Sequence, residues 1–338
     1  VNMSQPFFSI VILFWQSEQY LQRCLQSLKA QTFQDFEVIL LNNGASQPPD
    51  PAVLAFFQNL TIQQVHSETN LGFAGGNNLA ARSASGEYLV LLNGDAFPEP
   101  DWLATLHQAA LTHPGVCFAS RLLQAENPDH LDGEWNVYHA SGLAWRKNHN
   151  QPSTKSESSP RYVMSACAAA SAYPRSAFEQ VGGFDEEFFA YMEDLDLDMR
   201  LQLAGYPFLY LPEATVRHVG SGSTGYRSDF ATYYGQRNLI WAFVKNMPGF
   251  LFYLLLPAHI FFNLLYILAS FFMPSGKALL RGKKDAVKGL KAMLKKRHTI
   301  QSKRKITPFQ FARLLDWNPL SPMVKIFARK TSPKDHHD

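Results

Sequence analysis

The first ninety residues alternate short β-rich runs with helix-patterned stretches, and that order leaves few folds open. Residues 8–14 (FSIVILF) read as a buried strand. Residues 18–30 follow as a helix with Tyr20, Leu21, Leu25 and Leu28 on one side. Residues 36–41 are a second strand, followed by the turn-rich 42–51, a helical stretch at 53–59 and a third strand at 61–65. Residues 75–83 then read as a helix and 87–92 as a fourth strand. This order specifies an α/β fold with a mostly parallel sheet flanked by helices. In such sheets ligands sit beyond the carboxyl ends of the strands. Trp15-Gln16, Asn42-Asn43 and Asn93-Gly94-Asp95 all fall there.

Two acidic segments carry the chemistry. Asp95 closes the fourth strand, and Glu193, Asp194, Asp196 and Asp198 open a helical pattern at 193–203 that Gly205 ends in the C′ position. A carboxylate at a strand's end can hold a divalent metal, and one at the start of a later helix can serve as a general base. That pairing suits transfer of a group from a diphosphate donor to a hydroxyl. Asp198 is expected to be a solvated carboxylate stabilised by the helix dipole, and Asp185 a turn or cap residue after Gly182-Gly183. Residues 146–160 read as an exposed polar loop, 208–211 and 215–218 as short strands, and 220–225 as a flexible glycine-serine stretch.

A chain of 338 residues with 46% apolar and 17% charged content suits one large domain plus an appendage. Residues 1–273 carry 14 Lys and Arg against 24 Asp and Glu, while 274–338 carry 17 against 4. An acidic body with a basic tail implies an anionic surface as partner for the tail. The three scattered cysteines, Cys24, Cys117 and Cys167, show no metal spacing and point to a reducing compartment. No basic region precedes a long apolar run near residue 1, so a cleaved secretory signal is not expected.

Residues 249–273 are almost wholly apolar, interrupted by Pro257, His259 and Asn263. A stretch of that length can cross a bilayer, which takes ~20 residues. A single crossing would put the basic tail on the far side from an acidic cytoplasmic body, against the positive-inside tendency. A kinked, re-entrant or interface-lying hairpin bent at Pro257 resolves the conflict. Beyond it, Ala286, Val287, Leu290, Met293 and Leu294 form an apolar stripe, with Lys283, Lys284, Lys288, Lys291 and Lys295 at polar positions. This reads as a basic amphipathic helix on anionic lipid. Nucleic acid is not expected as a partner, because the tail lacks interleaved aromatics.

Several segments, in order, resemble the motifs of glycosyltransferase family 2, closest to its bacterial rhamnosyltransferase-like members. They are residues 9–15, Leu41-Asn-Asn-Gly44, Asn70-Leu-Gly-Phe-Ala-Gly-Gly-Asn-Asn78, Leu91-Leu-Asn-Gly-Asp95, Gly182-Gly-Phe-Asp185 through Glu193-Asp-Leu-Asp196, and Arg217-His218. The resemblance covers roughly residues 7–245 and implies a Rossmann-like GT-A fold, a nucleotide-sugar donor, a divalent metal and inversion at the anomeric carbon. It divides the chain into a catalytic domain at 1–245, an apolar membrane-associating segment at 246–274 and a basic helical tail at 275–338. Residue by residue, it implies donor binding by Phe14, Trp15, Gln16, Asn42, Asn43, Asn70, Gly72, Phe73, Gly75, Asn77 and Asn93, with Gly76 also allowing close backbone approach. Asp95 and His218 would hold Mn2+ or Mg2+, and Asp194 would be the base with Glu193 as the fallback. Asn42 and Asn93 stand where acidic residues are common in the family.

The expected activity is an inverting, metal-dependent transfer of a sugar, rhamnose being favoured by the resemblance. It runs from a dTDP- or UDP-linked donor to a hydroxyl of a lipid-linked or polysaccharide acceptor in cell-envelope glycan synthesis. The expected location is the cytoplasmic face of the inner membrane, peripheral or monotopic. A non-catalytic nucleotide-sugar-binding scaffold on the same fold is the alternative that Asn42 and Asn93 motivate; it predicts binding without turnover. A nucleotidyltransferase would need a basic phosphate-gripping loop after the first strand, and Gln16-Ser-Glu18 has no Lys or Arg.

Overall fold

Seven uncharged residues gain by burial on both faces of the sheet, and they make β1 (Phe8–Phe14) its central strand. The computed structural model describes residues 5–15, 17–220 and 228–328, so Gln16 and residues 221–225 lie outside the described residues. After β1 come α1 (Glu18–Lys29), β2 (Phe36–Asn43), α2 (Pro51–Phe56), β3 (Ile62–Ser67), α3 (Gly72–Ala81) and β4 (Tyr88–Leu92). These match the expected alternation, with β2 and β3 each reaching two residues further. The chain continues through β5 (Ala96–Pro98), α4 (Trp102–Thr112), β6 (Cys117–Gln124), β7 (Leu131–Gly133), β8 (Asn136–Tyr138) and β9 (Ala144–Arg146). Next are β10 (Arg161–Val163), β11 (Ala170–Pro174), α5 (Arg175–Gln180), α6 (Glu193–Leu203) and β12 (Phe208–His218).

The main sheet runs β10-β12-β6-β11-β4-β1-β2-β3, with β5 on β12 and β7 on β6. β4, β1, β2 and β3 are mutually parallel, as are β6 and β12. β11 lies antiparallel between the two blocks, so the sheet is mixed. The chain reaches β11 through strands and turns, without the helical crossover that a parallel neighbour uses. β12 is one strand where two were expected; its register shifts between Leu211 and Thr215, around Pro212, which cannot donate to the ladder. One apolar core fills each face of the sheet.

A third core lies among α6, α7 (Asp229–Asn246), α8 (Gly249–Ser270) and α9 (Gly276–Ser302), followed by α10 (Pro308–Ala312) and α11 (Ser321–Ala328). Two expectations change here. α8 continues through Pro257 and the chain reverses at 271–275 instead. One uninterrupted helix is what lets Leu251, Leu255, His259, Asn263, Tyr266 and Ser270 bury along a single stripe. The stripe on α9 divides: Ala286 and Met293 are fully buried against protein and Leu290 packs with them, while Val287 and Leu294 stay exposed. The reason is a close fit to α7. The Trp241 indole N–H donates to the Ala286 carbonyl at 3.0 Å, and Gly282 admits the Tyr233 carbonyl where a Cβ would lie 2.6 Å away. Lys283 is buried too, donating to the Gln236 carbonyl at 3.2 Å and to Asn263 Oδ1.

Candidate active site

The segment 185–192 delivers the acidic helix α6, and its backbone is strained. Phe189, Tyr191 and Met192 adopt φ of 64°, 64° and 65°, a region that non-glycine residues enter at a cost. Asn238 of α7, fully buried, offsets that cost. Its side-chain amide donates to the carbonyls of Phe188, Ala190 and Tyr191 at 2.9, 2.9 and 2.7 Å. Arg237 donates to the Asn238 side-chain oxygen at 2.9 Å and to the carbonyls of Glu187 and Phe188 at 2.7 and 3.0 Å. From the other side the Ala74 N–H donates to the Phe189 carbonyl at 3.0 Å.

At the start of α6 the carboxylates take four separate environments. Asp194 is half-buried and accepts from the Asn136 amide at 3.1 Å, the Leu195 N–H at 2.8 Å and the Ala168 N–H at 3.5 Å. Burial pushes its carboxyl above the ordinary range although these donors oppose the rise. Glu193 is buried, its Oε2 has no partner among the described residues, and burial, with the charge of Asp194 adding to it, raises its carboxyl well above the ordinary range. Asp196 is structural: it accepts from Arg200 at 2.9 Å, Lys245 at 2.8 Å and Asn246 at 2.8 Å, tying α6 to α7. Asp198 is not the solvated carboxylate expected. It is fully buried, accepting from Ser165 Oγ and the Ala166 N–H at 2.8 Å each, because α6 packs into the domain on this side rather than lying on its surface. Asp185 caps the turn at Glu186–Phe188, as expected, and in addition pairs with Lys245 and Lys296 at 2.6 Å each.

A second acidic group forms where β5 pairs with β12. The register sets His218 opposite Ala96, and the Val219 N–H donates to the Asp95 carbonyl at 3.1 Å. His218 Nε2 then lies 3.3 Å from Asp95 Oδ1 and 3.3 Å from the Asn93 amide, while Nδ1 lies 2.7 Å from Asp132 Oδ2. Burial disfavours the charged ring, but Asp95 and Asp132 outweigh it and raise His218 to about 9. Asp132 also pairs with Arg146 and accepts from His149 at its carbonyl, 2.7 Å. The 146–160 stretch is therefore not wholly an exposed loop: its first residues turn inward to this charge cluster. The carboxylate–histidine pairing is the arrangement that orients a metal-ligating imidazole.

Both groups border the same two residues. The Ala168 N–H faces Asp194, and the Ala169 carbonyl accepts from the Asn93 N–H at 2.9 Å. Adjacent Cα atoms are ~3.8 Å apart, so the loop bearing Asp95 and the Asp194 carboxylate flank one short segment. Arg146 and Cys167 feel the charges of both Asp194 and Asp132, and Arg146 feels Asp95 as well. A cavity of about 630 Å³ lined by Gln5, Asp35, Glu37, Ser85 and Arg175 opens at the amino-terminal edge of β1 and β2, away from these carboxylates.

The residues expected to bind the donor lie along the same carboxyl edge, with roles the sequence did not separate. Asn43 donates to the Gly72 carbonyl at 3.1 Å and accepts from the Leu71 N–H at 3.0 Å, while Asn70 Oδ1 accepts from the Gly72 N–H at 2.8 Å. Together they pin the turn that starts α3. Gly72 has φ of 70°, and a Cβ there would sit 2.5 Å from the Phe189 carbonyl oxygen. Its bareness therefore admits the segment before α6. Asn42 Oδ1 closes its own turn by accepting from the Ala45 N–H at 3.0 Å. Asn77 is buried and donates to the Phe73 carbonyl at 2.9 Å, within α3. Phe73 packs edge-on to Phe184, and Gly75 lies within α3 beside Leu71. Phe14 buries its ring in the core and leaves only main chain at the strand end, because side chains alternate faces along β1. Trp15 is half-buried there.

Sequence reasoning missed Asp132, Arg146, Asn136 and Asn238. Asp132 stands before a glycine and reads as a turn, and an asparagine within a helix carries no signal of what it reaches.

The family described as Glycosyl transferase family 2 matches residues 9–182, just over half of the 338. The chain is 29% identical over 226 residues to the O-antigen biosynthesis protein RfbC of Myxococcus xanthus, covering 64% of this chain but only 18% of that protein. It is 27% identical over 238 residues to an N-acetylglucosaminyl-diphospho-decaprenol L-rhamnosyltransferase of Mycobacterium tuberculosis, covering 64% and 77%. The mannosyltransferase PcManGT from Pyrobaculum calidifontis, in complex with GDP-Man and Mn2+, superposes with a TM-score of 0.53 at 16% identity, over 89% of this chain and 86% of that one. Residues 1–349 of S. aureus TarS, in complex with UDP, give 0.53 at 15% identity, over 98% and 94%. The mixed sheet flanked by helices is the GT-A fold of such neighbours. With the strand-end motifs in order and the family match running from β1 through α5, the chain belongs to glycosyl transferase family 2.

Proposed function

We propose that this protein is an inverting glycosyltransferase that moves a sugar from a nucleotide-diphosphate donor to an acceptor hydroxyl during cell-envelope glycan synthesis. The observation that carries the proposal is the pair of acidic groups flanking Ala168-Ala169: Asp95 with His218 on one side, Asp194 on the other. The acceptor oxygen forms its bond to the anomeric carbon as the bond from that carbon to the diphosphate oxygen breaks. The electron pair leaves with the diphosphate, and Asp194 takes the acceptor's proton. Burial raises the basicity of Asp194 and so favours that role. Glu193, its carboxyl raised by burial and its Oε2 without a partner among the described residues, suits a hydrogen bond to the acceptor. Arg146 is a cation facing both groups and suits the leaving phosphates.

The residues present fit a divalent ion. Asp95 and the Nε2 edge of His218 are two hard or borderline donors, Asp132 orients the ring from Nδ1, and substrate oxygens would complete the shell. When bound, Mn2+ or Mg2+ would neutralise the departing phosphates. The name of the mycobacterial relative supports a lipid-linked acceptor and a rhamnosyl group; a dTDP- or UDP-linked donor used at the cytoplasmic membrane face completes the proposal.

The test supplies candidate nucleotide sugars with Mn2+ or Mg2+ and a membrane extract, and follows release of nucleoside diphosphate. Asp194→Asn should abolish release yet retain donor-induced thermal stabilisation. Undiminished release by Asp194→Asn would remove the base; stabilisation without release by the unaltered chain would favour the scaffold reading.

A further inference from the structure

The polarity of α8 is inverted. Its polar residues His259, Asn263 and Ser270 are buried against the protein, where His259 Nδ1 lies 2.9 Å from the Ser141 carbonyl and Asn263 bonds Lys283. Its outer face presents Tyr253, Leu254, Ile260, Phe261, Leu264 and Leu268, each between 50% and 74% exposed. A helix in water shows the opposite arrangement. The apolar surface continues onto α9, where Leu280, Val287 and Leu294 are exposed and repeat every seven residues, on one face. The next face round α9 carries Lys277, Lys284 and Lys291, and the one beyond it Arg281, Lys288 and Lys295, all exposed.

We infer that this surface is a bilayer-docking face: α8 lies in the plane of an anionic membrane, its outer side among the acyl chains and the lysine rows of α9 at the headgroups. α8 and α9 run antiparallel, since Lys283 meets Asn263 while Arg297 meets Phe252. If α8 crossed the bilayer, α9 would be drawn alongside it, and six exposed cations would enter hydrocarbon. Lying in the plane, the same cations meet lipid phosphates and their stems cover the apolar edge. A second copy of this chain is a poorer occupant, because it would bring an identical rim of lysines. The inference deepens the proposed membrane location. It also joins docking to chemistry, for Lys296 on α9 is ion-paired to Asp185, at the head of the strained segment before Asp194.

The test uses the full chain in vesicle flotation, with phosphatidylglycerol-containing and with purely phosphatidylcholine vesicles, and needs no turnover. Binding is expected only to the anionic vesicles. It should weaken by about tenfold or more in a Leu254→Glu/Phe261→Glu/Leu264→Glu variant and in a Lys284→Glu/Lys291→Glu variant. All these positions are exposed, and cooperative thermal unfolding checks that each variant folds. A Phe261→Trp chain gives an independent reading: shallow brominated lipids should quench its fluorescence more than deep ones. Equal binding to both vesicle types, undiminished binding by the triple variant, or strongest quenching from the bilayer centre would overturn the inference. So would a dimer that fails to bind vesicles and that the triple variant converts to monomer. Loss of sugar transfer with vesicle binding intact would count against the proposed activity alone.

Discussion

Replacing Asn238 should release the segment that presents the proposed base, and the size of the effect can be worked from its contacts. The Asn238 amide serves three carbonyls of a turn in which Phe188 is buried and Phe189, Ala190 and Tyr191 are half-buried. The amide has two N–H donors shared among the three acceptors, so at ~0.5–1.5 kcal/mol net per donor the clamp contributes about 1–3 kcal/mol. The three left-handed residues at 189, 191 and 192 store strain of ~1–3 kcal/mol each, of the same order as the clamp or larger. Removing the donors should therefore tip the segment toward relaxed conformations in which Asp194 is no longer aimed. Asn238→Leu keeps the volume and loses the donors. Asn238→Asp is worse, because it sets a carboxylate against carbonyl oxygens. Urea unfolding should show Asn238→Leu destabilised by about 1–3 kcal/mol. Hydrogen exchange should quicken at the amides of Phe188, Phe189 and Ala190, which close this turn. Transfer should fall at least tenfold while donor-induced stabilisation persists. An Asn238→Leu protein that unfolds within about 0.5 kcal/mol of the parent, with unchanged exchange at those amides, would show that Asn238 does not hold the segment.

Two further perturbations probe other parts of the site. Asp132→Asn removes the carboxylate behind His218 Nδ1 and should weaken Mn2+ binding in the presence of nucleoside diphosphate by ~10–100-fold, read by electron paramagnetic resonance titration; unchanged affinity would separate His218 from the ion. Asp185 governs an acid transition: burial opposes its charge, yet Lys245 and Lys296 hold its carboxyl down at about 2. A depressed folded-state value contributes stability above the ordinary carboxylate range and loses it as pH falls toward 2, a change of about 2 kcal/mol. Stability measured by denaturant between pH 4 and 2 should flatten by roughly that amount in Asp185→Asn, and a slope equal to the parent's would show that the pairs do not set the transition.

Residue order alone determined the alternation of strands and helices, the carboxyl edge where the polar loops gather, and the acidic opening of α6. Each follows from periodicity and end signals spanning a few residues. It also marked residues 249–273 as unusually apolar. What it left open was direction. Periodicity says that residues share a face, but not which neighbour that face meets, so Asp198 reads as solvated and the whole α9 stripe as lipid-facing, whereas Asp198, Ala286, Leu290 and Met293 are packed inside and Val287 and Leu294 are exposed. For Asn42, Asn77 and Gly72 the motif carries the expectation of donor binding; the packed chain adds that they close a turn, staple a helix and admit Phe189. Asp132, Arg146 and Asn238 enter the site from distant strands and a late helix, and only the packed chain brings them to His218 and to the strained segment. The outward aim of the α8 apolar face was likewise decided by tertiary contacts, because buried partners for His259, Asn263 and Lys283 exist only once α7, α8 and α9 are assembled.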